Sequence, residues 1–483
     1  MLDRRRFLGL SATALATHGC ASPPSPDSTS GPANVLFVAV DDLNTWLGCM
    51  GGHPQARTPN MDRLAARGVL FQNAHCQAPI CGPSRASLMS GYLPSTTGIY
   101  GQIRDRELRE ASPETAATPF LPEWFSQNGY KTMGVGKLFH NHAPDGAFDE
   151  SGGRESGFGP KPPERLKWNA EKTSTDWGPF PATDEEMPDF RTAEWAVERL
   201  QQEHDRPFFL AAGFLRPHVP WHVPQKWFDL FPADEIEMPA YQPGDQDDVP
   251  AISRELHALP MMPTTDWAIE SGEWKYIVQA YLACIAFVDA QVGKVLDALD
   301  ASPYADHTYV VLWGDHGYHI GEKNRFAKHS VWEEATRTPL MVAGPGISPG
   351  TTNAPTGLID LYPTLLDLCG LPPNQANEGH SLRPVLEDPS SAEWPHVALT
   401  TYGRNNHGVR DEQYRYIHYE DGSEELYDHF ADQNEWDNVA DDVAYDETKL
   451  RLAAHLPEVN APWSPKSIYD YNDYLTKHRL RNL

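Results

Sequence analysis

The chain has 483 residues, 40% hydrophobic and 22% charged, and its 39 Lys and Arg face 67 Asp and Glu for a formal charge of −28. That length exceeds what one hydrophobic core comfortably serves and predicts two unequal domains. The acidity excludes nucleic-acid binding, because no basic patch is at hand to neutralise phosphates; an acidic protein that handles an anionic substrate must gather its few cations locally.

The chain opens on Arg4-Arg5-Arg6-Phe7-Leu8, which fits a twin-arginine export pattern, followed by a short, mildly apolar stretch over 9–17. That stretch is too short to remain as a membrane span. Gly19-Cys20 and the Ser/Pro-rich residues 21–32 predict a lipoprotein cleavage site with a flexible tether, hence a periplasmic or cell-surface protein anchored at Cys20. A simply cleaved signal without lipid is the alternative. Residues 1–33 are read as signal and tether.

From Asn34 onward, short apolar runs alternate with helical periodicity. Strands are predicted over 35–40, ending in Asp41-Asp42; over 132–135, leading to Lys137 and His140; and over 208–212, leading to Arg216-Pro217-His218. A long helix over 274–299 carries Tyr281, Ile285, Val288, Val292, Val295 and Leu299 at three- and four-residue steps. A strand over 309–313 follows, ending in Gly314-Asp315-His316, and then a helix over 358–369. This alternation predicts an α/β domain over 34–386 with a large, mostly parallel sheet covered on both faces. Residues 387–391 read as a linker, and strands at 415–419 and 425–427 predict a small α+β domain over 387–483. No internal repeat or internal membrane span is evident.

Four buried-strand candidates thus end in titratable residues, and in open α/β sheets the ligand lies beyond the carboxyl ends of the strands. Asp41, Asp42 and Asp315 brought together would repel one another unless a cation sits among them. Three aspartates favour calcium or magnesium, and the adjacent His316 leaves manganese or zinc open. The bland alternative for Asp41-Asp42 is a helix N-cap. Cys81-Gly82-Pro83-Ser84-Arg85 precedes and opens an apparent helix over 84–90, which sets the Cys81 side chain near a positive helix end. Cys81 is a buried structural thiol, a thiolate nucleophile or a site of covalent modification. The spacing of the six cysteines matches no zinc site or disulfide framework.

The run CGPSRASLMSG over 81–91 resembles the maturation signature of the sulfatase family, in which the cysteine is oxidised to formylglycine. VAVDDLN at 38–44, TPNMDRLAARGVLF at 58–71, GKLFH at 136–140, RPHVP at 216–220, WGDHGYHIGE at 313–322 and LIDLYPTLLDLCGL at 358–371 resemble the same family in the same order. ELYDHFADQNEWDNVA at 425–440 resembles its C-terminal signature, so the likeness runs from 34 to about 445. It implies an alkaline-phosphatase-like α/β sandwich and a formylglycine-generating maturation enzyme as partner. It also implies one calcium ion held by Asp41, Asp42, Asp315, His316 and the formylglycine from Cys81. Arg85 would hold the formylglycine, with Lys137, His140, His218 and Lys328 around the sulfate.

Under that resemblance the hydrated aldehyde offers one hydroxyl to attack sulfur and a second whose proton loss releases sulfate. His218, supported by Lys328, is assigned the general acid and His140 the base of sulfate release; the two His roles are exchangeable. Lys137 and Lys328 would stabilise charge on the sulfuryl oxygens. GKLFH, RPHVP, Asp315-His316 and AKHS at 327–330 are similar to the iduronate-2-sulfatase branch. That branch implies a 2-O-sulfated uronic acid at a polysaccharide end, with Arg104, Arg106 and Lys323 as candidates for its carboxylate. Choline or aryl sulfates, a phosphate or phosphonate ester, and an inactive polysaccharide-binding lipoprotein are the alternatives.

Overall fold

The computed structural model describes residues 31–155, 157–390 and 393–482. The predicted export signal, with Cys20, lies outside them. The central strand β1 (Asn34–Val40, NVLFVAV) is buried along its whole length. Its side chains alternate between two cores: Leu36, Val38 and Val40 pack on one face of the sheet, and Val35, Phe37 and Ala39 on the other. A strand apolar on both faces needs a helical layer on each side, and the chain supplies both. On the first face lie α1 (Pro59–Ala66), α3 (Pro188–Leu200) and the long α4 (Trp274–Asp300). On the second lie α2 (Cys81–Ser90) and α5 (Leu361–Leu368).

The remaining strands are β2 (Val69–Phe71), β3 (Lys131–Gly136), β4 (Glu150–Gly153), β5 (Phe208–Phe214), β6 (Thr308–Gly314), β7 (Leu340–Ala343) and β8 (Gly350–Thr352). They form an eight-stranded sheet in the order β8-β2-β7-β6-β1-β5-β3-β4. Only β7 runs against its neighbours, pairing antiparallel with β2 and β6. The four central strands expected from sequence are present and parallel. The predicted long helix is α4, whose six periodic apolar side chains are all buried.

The register does the positioning. Val40 pairs with Phe214 on one side and with Gly314 on the other, while Gly136 pairs with Gly213. The four strands therefore stop level, and the residues after them emerge side by side. Beyond residue 386, β9 (Ala398–Thr401), β10 (His407–Arg410), β11 (Tyr414–His418) and β12 (Glu424–Asp428) make an antiparallel sheet in sequence order. Tyr427 of this sheet, with Tyr402 and Tyr419 just beyond its strand ends, shares a core cluster with Ile80, Val331 and Trp332 of the larger layer. Cys49, Cys76, Cys81, Cys284 and Cys369 are free thiols. Among the described residues no helix is long and apolar enough to cross a membrane.

Candidate active site

Asp41 is still on the ladder, its amide donating to Phe214 O at 3.1 Å. The chain then breaks: Asp42 has φ +58°, a left-handed conformation unusual for a non-glycine residue and typical of functional turns. Two contacts hold it there. Asp42 N donates to Asp315 Oδ1 at 3.1 Å, and the Tyr281 hydroxyl of α4 donates to Asp42 O at 2.7 Å. No helix begins at Asp42, the next helical turn being Gly48–Met50, so the N-cap reading of the acidic pair falls.

Cys81 is the first residue of α2, three residues earlier than the sequence suggested. Ser84 N already donates to Ile80 O at 3.0 Å, and Pro83 is tolerated in a first turn that needs no amide donor. Its Sγ lies 3.2 Å from His316 Nε2 and 3.9 Å from Asp42 Oδ1, and accepts from Lys328 Nζ at 2.9 Å. One helical turn on, buried Arg85 ties the strand ends together. Its Nε donates to Asp315 Oδ2 at 2.8 Å, its Nη2 sits 3.4 Å from Asp41 Oδ1, and its Nη1 donates to the carbonyls of Lys137 and Leu138. The ammonium of Lys137 rests on Asp41 Oδ2 and that of Lys328 on Asp42 Oδ1. The Lys137 backbone turns tightly against β5, where a Cβ at Gly213 would overlap it.

His218 Nε2 is 3.9 Å from Asp42 Oδ2. Its Nδ1 is 2.6 Å from Val219 O, which makes Nδ1 the donor and turns Nε2 toward the site. The ring stacks on Phe158 with centroids 4.3 Å apart. Half-buried His140 is held through its backbone amide, which donates to Asp105 Oδ1 at 3.1 Å.

Burial pushes each of these groups toward its neutral form, and at Asp41 the surrounding charges overturn it. Asp41 is desolvated, yet Lys137, His218, Arg85 and Lys328 hold its carboxyl well below the ordinary range. Asp42 is pushed up to about 7 by burial, which Lys328 opposes and the repulsion of Asp41 and Asp315 reinforces. Burial, then Lys328, lowers His218; burial, then Lys137, lowers His140. His316 falls to about 4 through burial. Burial lifts the Cys81 thiol far above its usual range despite the lysines, which argues against a thiolate nucleophile.

The donor set suits a divalent cation. Ligand atoms of Asp41, Cys81, Asp315 and His316 lie within 4.8 Å of one another, as do those of Asp41, Asp42, Cys81 and His218. Asp42 Oδ2 is buried with no hydrogen-bond partner, a penalty that a bound cation would remove.

Comparison with known proteins decides the family. Residues 33–371 match the family described as Sulfatase. The chain belongs to the sulfatase family. A further match, described as the C-terminal part of N-sulphoglucosamine sulphohydrolase, covers residues 321–462. A protein of Formosa agariphila named Sulfatase is 50% identical over 461 residues, 93% of this chain and 91% of that one. Iduronate 2-sulfatase of Homo sapiens is 31% identical over 389 residues, 74% of this chain and 67% of the human protein. The phosphonate monoester hydrolase of Agrobacterium radiobacter superposes with a TM-score of 0.69 at 22% identity, over 93% of this chain and 96% of that one, a likeness of fold alone.

In this sulfatase the structure brings Asp41, Asp42, Cys81, Arg85, Lys137, His218, Asp315, His316 and Lys328 into one cluster, with His140 close enough for the charges of Lys137 and Asp41 to act on it. Lys323 does not join them. It is buried against Asp245 Oδ1 at 2.9 Å and the Glu435 carbonyl, so it is unavailable to a substrate carboxylate. Arg104 and Arg106 are exposed on either side of Asp105. Sequence reasoning missed Tyr281 as the anchor of Asp42, Ser84, whose Oγ donates to Asp315 O at 2.5 Å, and Phe158, which stacks on His218. Ser84 lay within the recognised motif, but Phe158 sits in no periodic run that would betray it.

Proposed function

We propose that this sulfatase removes the 2-O-sulfate from a uronic acid at the end of a sulfated polysaccharide, using formylglycine made from Cys81 and one calcium ion. One observation carries the chemistry: residue 81 stands between a buried trio of aspartates and a ring of basic side chains at the level ends of four strands. The iduronate 2-sulfatase likeness and His316 support the substrate class. Asp41, Asp42, Asp315, His316 and residue 81 would hold the calcium. When present, the ion and the hydrated aldehyde supply a polarised hydroxyl and positive charge for the sulfuryl oxygens.

The chain's own groups do the rest. Lys137 and Lys328, paired here with Asp41 and Asp42, would be free to bind sulfate oxygens once those carboxylates held the ion. Arg85 keeps Asp41 and Asp315 in place from behind. His218 presents Nε2, and an anion bound beside it favours the imidazolium, which protonates the leaving oxygen. His140, at the rim, takes the proton during sulfate release. The assembled site speaks against an inactive binding lipoprotein. Maturation by a formylglycine-generating enzyme, export through the Arg4–Arg6 signal and anchoring at Cys20 complete the proposal and rest on sequence.

The test is sulfate release from defined sulfated disaccharides, with and without chelator, alongside matched phosphate and phosphonate esters. Chelator-sensitive release from the 2-O-sulfated uronate is expected. A strong preference for a phosphorus ester refutes the reaction, and an active preparation whose Cys81 peptide carries only unmodified thiol refutes the mechanism.

A further inference from the structure

Beside the sulfate-binding groups stands a cation with no carboxylate at ion-pair distance among the described residues. Arg154 follows β4 and is half-buried. Its guanidinium lies 5.8 Å from the Phe158 ring centroid and donates to Gly157 O at 3.0 Å. The same ring carries the Lys137 ammonium at 5.6 Å and stacks on His218. Among the described residues no Asp or Glu comes within ion-pair distance of Arg154, whereas its neighbours Glu155 and Arg191 pair with each other. Its charge is felt at His140 and is itself influenced by Asp41, Arg85, Asp105 and Cys81. Burial lowers its pKa, and the charges of Asp41 and Asp105 offset that desolvation only in part.

In a chain of charge −28 such a cation has abundant potential partners, and its isolation points outward, to a ligand. The sulfate is already served by Lys137 and Lys328. A planar, five-donor guanidinium one aromatic ring away from them fits a second, planar anion on the same small molecule. We propose that Arg154 binds the carboxylate of the sulfated sugar and is the specificity-determining residue for an acidic substrate. This rests on the uronate reading above and assigns to Arg154 the role that the buried Lys323 cannot fill.

The experiment uses the matured, full-length enzyme, the 2-O-sulfated uronate and its neutral methyl ester. Wild type is expected to favour the free acid. Arg154→Ala should lose roughly 10²-fold in kcat/KM on the acid, mainly through KM, and stay within about 3-fold on the ester. Arg154→Lys should recover part of the loss, which a merely structural role would not predict. An equal fall on acid and ester overturns the proposal, because Arg154 would then serve the sulfate or the fold. If wild type prefers the acid and Arg154→Ala keeps that preference, the assignment fails while the uronate reading stands. If wild type does not distinguish acid from ester, the uronate reading fails and the proposal with it.

Discussion

Replacing Gly213 by Ala tests whether the level strand ends set the active-site geometry. Gly213 lies in β5, held in register by Ala39 of β1 and Gly136 of β3, so the strand itself cannot yield. A Cβ there would overlap the Lys137 carbonyl and stand 2.7 Å from its amide nitrogen, where ordinary contact begins at 3.4 Å. The neighbouring turn must therefore move by roughly an ångström, and with it the Lys137 amide that donates to Gly213 O at 2.8 Å and the carbonyl that receives Arg85. Overpacking of this kind costs about 1–3 kcal/mol. For a fold of this size, with an unfolding entropy near 2 cal/mol/K per residue, that is a Tm decrease of roughly 1–3 °C. Displacing a positioned substrate-binding group by that distance costs on the order of 10²-fold in rate. Steady-state sulfate release and differential scanning fluorimetry on the same sample should thus show an activity loss far out of proportion to the stability loss. Activity within a factor of about two of wild type, or a loss no larger than the unfolded fraction explains, would refute the reasoning.

Cys81→Ala should lower sulfate release by on the order of 10³ or more, with a Tm close to wild type, since Lys328 keeps its ion pair with Asp42; retained turnover would remove residue 81 from the chemistry. Removing the divalent cation with a chelator should abolish activity and, if the ion is normally present at about 1,000 times its Kd, take away about 4 kcal/mol, several degrees in Tm, that calcium restores; Asp42→Asn should blunt that shift. Glu334 and Glu322 are pushed up to about 8 and about 7, in both cases chiefly by burial, with the Glu322 charge adding to the rise at Glu334. Raised carboxyl groups bind protons more tightly folded than unfolded, so stability is fully present below about pH 4.5 and is lost as pH climbs toward 8. Glu334→Gln should therefore raise Tm at pH 8 and leave it nearly unchanged at pH 5; a gain confined to low pH would contradict the sign.

Much of this was legible locally. A run such as residues 35–40, apolar at every position, can only be a strand buried on both sides, and the abrupt Asp41-Asp42 marks where it leaves the sheet. The same logic located 132–135, 208–212 and 309–313 to within two residues at each end, and the i, i+3, i+4 spacing of Tyr281 to Leu299 located α4. The motif around Cys81 named the family. Short strands such as Val69–Phe71 and Gly350–Thr352 were not legible, because three residues are too few to establish a period.

Residue type and spacing along the chain determined which groups would be buried and which titratable groups would follow a strand. Which of them meet was decided by register, a property of pairs of segments far apart in sequence: Val40 opposite Phe214 and Gly314 makes Asp41, His218 and Asp315 neighbours. Lys323 and Arg154 show the consequence. Both are cations that follow strands, indistinguishable by composition, yet packing buries one against Asp245 and leaves the other without an ion pair among the described residues, one aromatic ring away from Lys137 and His218. A side chain's charge is local, but its partner is chosen by the three-dimensional path of the rest of the chain.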